Sequence, residues 1–212
     1  MNFDRLAPHY GWMEALTAGG RLQSARTVWL AELAGRRRIL SAGEGHGRFA
    51  AACAARHPAA ELTCVEASPR MLARAQARLR ERAARIKWHC RDVLSWQPAE
   101  KHDAIVTCFF LDCFTPAMLA EVVAKLADCA TPDAAWIIVD FAVPLRGLPR
   151  WRARLTHALM YWFFRRAVSL PAHRLTPPDD LLRGHGFVLA GSREFNWGLV
   201  RADLWQRSPK SS

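Results

Sequence analysis

The stretch RILSAGEGHGRF, Arg38 to Phe49, decides how this chain is read. Ile39, Leu40 and Ala42 supply the apolar positions of a short buried strand at about 37–42, which runs directly into Gly43, Gly45 and Gly47. Without side chains at those three points the backbone can pass close to a ligand, and the helix predicted at about 46–56 then turns its first N–H groups towards it. About twenty residues on, LTCVEASPRML (Leu62 to Leu72) supplies a second strand, 61–66, that ends in the carboxylate of Glu66. An acidic residue at the tip of the second strand of a βαβ unit accepts hydrogen bonds from both hydroxyls of a ribose. The pair of motifs therefore specifies a site for an adenosine-bearing cofactor. Spacing alone leaves two such cofactors open, because Gly45-x-Gly47-x-x-Ala50 also fits the dinucleotide fingerprint with its permitted final alanine.

The residues after Glu66 are more selective. EASPRMLARA resembles the second motif of class I S-adenosylmethionine-dependent methyltransferases, and AGEGHGRF resembles their first, with the likeness running from about residue 38 to 140 and closest in style to small-molecule, quinone and lipid methyltransferases. The resemblance implies S-adenosylmethionine as cofactor and places Gly43, Glu44, Gly45, Gly47, Glu66, Ala67, Met71, Asp92, Val93 and Thr107 around it. One departure stands out: the family usually has Asp or Glu two residues before the first glycine, where this chain has Ser41, so Glu44 or a water takes over the contact to the methionine end.

The implied fold is α/β: a Rossmann-like, seven-stranded, mostly parallel sheet with helices on both faces and a C-terminal antiparallel hairpin. A chain of 212 residues with 51% hydrophobic residues suits a single domain, 1–212. Ser68 and Pro69 cap and open a helix running to about Ala84. A third strand is expected at 85–90, a nearly continuous apolar fourth at 102–110, a helix at 116–130, and a fifth strand at 134–141. At the end of the chain a short helix from Pro178 precedes strands at 187–194 and 199–207, joined by the turn residues Asn196-Trp197-Gly198. A dinucleotide dehydrogenase would more naturally continue with another parallel βα unit, so this ending favours methyl transfer.

Chemistry is expected at the strand ends. Asp92, just beyond the third strand, can accept a hydrogen bond from the adenine amino group while the Val93 N–H reaches a ring nitrogen; alternatively, it is a turn residue satisfying its own backbone. Phe109, Phe110 and Phe114 surround Asp112, and Asp140 closes the neighbouring strand, which suits an apolar acceptor with one polar reacting group and makes Asp112 and Asp140 the candidate acid–base residues. The competing reading has the phenylalanines in the core and Asp112 capping the helix near Thr115-Pro116. No N/D/S-P-P-Y/F segment or Pro-Cys pair points to base methylation.

Two segments read as lids. Residues 1–33 form helices before the sheet, with Tyr10 placed to touch ligand, and residues 144–177 are basic and aromatic. That second segment holds Arg146, Arg150, Arg152, Arg154, Arg165, Arg166 and Arg174 beside Trp151, Tyr161, Trp162, Phe163 and Phe164. A helix at 148–168 there serves as the crossover after the fifth strand. It also covers the acceptor with Phe110, Phe114 and Tyr161, rests on acidic lipid headgroups, or grips RNA.

The net charge of +11 raises the nucleic-acid reading, but arginines spread over many helices favour a small-molecule acceptor. An RNA methyltransferase, or a non-catalytic cofactor-binding or membrane-surface protein, is the alternative. Six cysteines show no metal-ligand spacing, so structural thiols and no metal are expected. The absence of an eighteen-residue apolar run or a leader pattern points to a cytoplasmic protein, with peripheral contact to the inner face of a membrane left open. Oligomeric state has no signature in the sequence.

Overall fold

The computed structural model describes residues 20–142 and 176–207. Tyr10, Tyr161, the start of the first lid, nearly all of the basic aromatic segment and the tail from Ser208 lie outside the described residues. In chain order the elements are α1 (Gly20–Thr27), β1 (Arg38–Ala42), α2 (Arg48–Arg56), β2 (Glu61–Glu66), α3 (Pro69–Leu79), β3 (Ile86–Cys90), β4 (His102–Cys108), α4 (Pro116–Asp128), β5 (Ala130–Phe141), α5 (Asp179–Gly184), β6 (Phe187–Phe195) and β7 (Val200–Arg207). The seven strands form one sheet in the order β3-β2-β1-β4-β5-β7-β6. Strands β1 to β5 pair in parallel, and β7 is antiparallel to both β5 and β6.

Alternation along the strands builds two cores, one on each face. Leu40, Val65, Ile105 and Trp136 face α4 and α5, meeting Leu119, Val122, Leu126 and Leu182. Their neighbours Ile39, Cys64, Val106 and Ile137 face α1 and α2, meeting Leu22, Ala25, Phe49 and Cys53. Covered on both sides, β4 carries the unbroken apolar run Ala104-Ile105-Val106, all fully buried.

The helix starts follow the local signals. Ser68 accepts the Met71 N–H at 3.2 Å with Pro69 in the first turn of α3, and Thr115 accepts the Met118 N–H at 3.4 Å with Pro116 opening α4. Thr115, not Asp112, is thus the cap of α4. Helix α3 stops at Leu79, short of the expected Ala84, and tightens into a 3₁₀ segment over Arg80–Arg85. Its buried stripe Met71, Leu72, Ala75, Leu79 would continue at Arg82 and Ala83, which bring little apolar area. Strand β4 ends at Cys108 instead of Phe110 because Phe109 turns left-handed, with φ 54°. In the β6–β7 hairpin Asn196, Trp197 and Gly198 all take positive φ, as the turn residues foretold.

The described part of the first lid, 20–33, is built into the core. Leu22, Ala25 and Leu33 are buried, and the Trp29 indole N–H donates to the Ala202 carbonyl at 3.0 Å while its ring covers Gly191. Among the described residues no helix is long and apolar enough to cross a membrane.

Candidate active site

The glycine turn sits at the carboxyl ends of β1 and β2. Gly43, Gly45 and Gly47 have φ of 69°, 65° and 82°, values that favour glycine. They do not all serve the same purpose. A Cβ on Gly43 would stand 2.1 Å from Cδ2 of Phe110, and one on Gly47 would stand 2.7 Å from the Ala75 Cα of α3, whereas one on Gly45 would meet nothing within 4 Å. Gly43 and Gly47 are therefore packing glycines, and Gly45 leaves open space above the turn.

Glu66 ties the neighbouring loops together. Its Oε2 accepts the Gly45 N–H at 2.8 Å, its Oε1 accepts the Ser68 N–H at 2.8 Å, and its carbonyl accepts the Arg91 N–H at 3.1 Å. The end of β2, the glycine turn and the loop after β3 thus converge, as the paired motifs require. In that last loop the Asp92 Oδ1 accepts the Leu94 N–H at 3.0 Å, the turn role, while Asp92 itself stays exposed. Val93 is buried, Ala67 is exposed, and Met71 is buried with its N–H on Ser68. Thr107 is fully buried, and its hydroxyl accepts the Trp136 indole N–H at 3.2 Å, so its side chain serves the core below the site.

Glu44 is held against Ser41. The Ser41 hydroxyl donates to Glu44 Oε2, and Glu44 Oε1 accepts the Ala50 N–H of α2 at 2.9 Å. Gly47, the N-cap of α2, has no side chain to offer, so Glu44 caps that helix from three residues upstream. Burial pushes the Glu44 carboxyl up to about 7, against the lowering effect of the Ser41 and Ala50 hydrogen bonds and of the Arg26 charge.

Arg26 is the residue that sequence reading missed. It comes from α1, is 6% exposed, and lies 4.8 Å over the Phe109 ring, close enough to Glu44 to act on its charge. As one arginine among many, it had no local pattern to single it out.

The residues expected on the acceptor side lie at the ends of β4 and β5. Phe110 meets Phe114 edge-on at 5.0 Å, and Phe109 packs on Phe141 at 5.1 Å. These pairs border opposite cores, with Asp140 at the end of the strand between them. Asp140 Oδ1 accepts the Phe110 N–H at 2.9 Å, which fixes the turn after β4; its Oδ2 is buried and has no hydrogen-bond partner. Burial, then the neighbouring Asp112, hold the Asp140 carboxyl well above the usual range. Asp112 is raised to about 6, chiefly by burial, and its Oδ1 lies 3.5 Å from the Cys113 thiol.

Burial also pushes the thiols of Cys53, Cys64, Cys108, Cys113 and Cys129 up, which leaves them inert at neutral pH. Among the described residues no group of His, Cys, Asp and Glu could hold a metal.

Comparisons with known proteins bear on the fold. Residues 39–133 match the family described as a methyltransferase domain. Mitomycin 7-O-methyltransferase superposes with a TM-score of 0.72 at 16% identity over 98% of this chain and 61% of its own. The 1,6-didemethyltoxoflavin-N1-methyltransferase of Burkholderia thailandensis, with its substrate and S-adenosylhomocysteine bound, gives 0.67 at 18% identity over 97% and 86%. Magnesium protoporphyrin IX methyltransferase from Synechocystis, also with S-adenosylhomocysteine, gives 0.65 at 19% over 89% and 84%. No curated protein sequence matches the chain. The chain spans less than two thirds of the first of these structures, and likeness at such identities is likeness of fold. The matching stretch is less than half of the chain, and what these structures share with it is the seven-stranded Rossmann-like fold.

Proposed function

We propose that this protein is an S-adenosylmethionine-dependent methyltransferase acting on a small, hydrophobic acceptor in the cytoplasm. The observation that carries the proposal is the Glu66 carboxylate, held by the Gly45 and Ser68 N–H groups beside the one turn glycine with open space above it. The residues present fit the cofactor. Glu66 receives the ribose hydroxyls, with Ala67 and Met71 following it along the edge of the nucleoside. Asp92 Oδ2 and the Val93 N–H face the adenine. Glu44 and Arg26, a buried acid and a buried guanidinium in electrostatic contact, match the ammonium and carboxylate of the methionine end.

When bound, the cofactor supplies an electrophilic methyl group on a sulfonium with a good leaving group. The chain's own work is then mostly positioning and exclusion of water, which the half-buried Phe109, Phe110 and Phe141 provide at the β4–β5 edge. Asp112 and Asp140 are the groups placed there to receive an acceptor proton.

Calorimetric titration with S-adenosylmethionine and S-adenosylhomocysteine tests the cofactor. Both bind the wild type, and Glu66→Ala weakens each more than ten-fold; binding of a nicotinamide dinucleotide in their place would refute the proposal. The net charge of +11 keeps RNA methylation as the second reading, and absence of RNA retention on filters at low salt removes it. Feeding cells methyl-labelled methionine with and without the protein, followed by mass spectrometry of metabolites and lipids, identifies the acceptor class.

A further inference from the structure

The edge formed by β4 and β5 has a gap in its hydrogen bonding. Asp140 Oδ1 is engaged by the Phe110 N–H, yet Oδ2 is buried with no partner, and a buried carboxyl oxygen without a hydrogen bond is costly to keep. The side chain opposite Asp140 in the β5–β7 ladder, Arg201, does not fill the gap. Its guanidinium is bound by Asp179 at 2.8 Å and by Asp203 at 2.6 Å. The group that acts most strongly on Asp140 is another acid, Asp112. Two aromatic pairs, Phe110–Phe114 and Phe109–Phe141, border this spot, and Phe110 lies directly against Gly43 of the cofactor turn.

We infer that the acceptor is a neutral, ring-bearing alcohol or phenol whose hydroxyl partners Asp140 Oδ2, in the field of Asp112. This rests on the methyltransferase reading for its meaning, but not for its geometry. Two carboxyls that act on each other's charge in a buried site share protons, so one is a donor and the other an acceptor. A hydroxyl both donates and accepts, and it therefore satisfies the pair whichever acid holds the proton. A carboxylate ligand would add a further negative charge with no cation from Arg201 to balance it, and a bare hydrocarbon would leave Oδ2 unpartnered. The flat rings at the edge suit an aromatic body.

Three probes that share one ring system decide the matter: 1-naphthol, 1-naphthoate and naphthalene, titrated into the protein by NMR with and without S-adenosylhomocysteine. The wild type binds 1-naphthol at least ten-fold more tightly than either of the others. Asp112→Asn, which removes the charge while keeping the shape, narrows the margin of 1-naphthol over 1-naphthoate to less than three-fold. The inference is overturned by no detectable 1-naphthol binding at millimolar concentration, by naphthalene or 1-naphthoate binding as well as 1-naphthol, or by an unchanged margin in a folded Asp112→Asn protein. The wild-type comparison stands even if that variant fails to fold. Should S-adenosylhomocysteine fail to bind while 1-naphthol keeps its margin, the methyltransferase reading falls and this site remains.

Discussion

The ring of Phe110 lies flat on Gly43, so close that a Cβ there would stand 2.1 Å from Cδ2. The glycine turn and the aromatic edge after β4 are thus a single packed unit, joined across residues far apart in the sequence. Gly43→Ala should destabilise the fold by at least ~2 kcal/mol, from the overlap together with the left-handed backbone. Adding Phe110→Ala should relieve the overlap and leave only the backbone part, a positive coupling that a urea-unfolding double-mutant cycle measures. Additive losses would mean that the two residues do not bear on each other.

The other two turn glycines should separate stability from binding. Gly45→Ala meets open space, so it should cost only the ~1–2 kcal/mol of left-handed strain while weakening S-adenosylhomocysteine more than ten-fold. Gly47→Ala meets the Ala75 backbone at 2.7 Å and should cost more stability than Gly45→Ala, because α3 itself has to move. Thermal unfolding beside calorimetry checks both, and the reverse order would contradict the assignment of Gly45 to the ligand.

Glu44 makes stability depend on pH. Its carboxyl is raised from 4.5 to about 7 in the fold, so its protonated form is the one the fold favours. The contribution is fully present below pH 4.5 and is lost as pH rises through about 7, amounting to about 3 kcal/mol. Glu44→Gln keeps an acceptor for the Ala50 N–H and removes the titration. Relative to wild type, the variant should gain stability between pH 5 and pH 8 in denaturant unfolding; a constant difference across that range would show that Glu44 does not titrate there.

The helix cap and the bond to Glu66 are separable at Ser68. Ser68→Ala removes the acceptor for the Met71 N–H but leaves the Ser68 backbone N–H on Glu66. Stability should fall by ~1 kcal/mol with little change in S-adenosylhomocysteine affinity. A large loss of affinity at unchanged stability would move Ser68 from the helix into the binding surface.

The sequence determined what local chemistry controls. The apolar runs gave the strands, Ser68-Pro69 and Thr115-Pro116 opened α3 and α4, the glycines set the turn, and Asn196-Trp197-Gly198 made the hairpin that closes the sheet. Each is written within a few neighbouring residues, as is the carboxylate of Glu66 at the end of β2. Only the tertiary structure decided which groups meet. Arg26 reaches Glu44 and Phe109 from a helix with no distinguishing pattern, Asp140 spends one oxygen on the turn after β4, and Thr107 turns its hydroxyl to Trp136 instead of towards a ligand. Those contacts join residues 18 to 83 positions apart, where burial and packing against other elements select the partner and local propensity has no say.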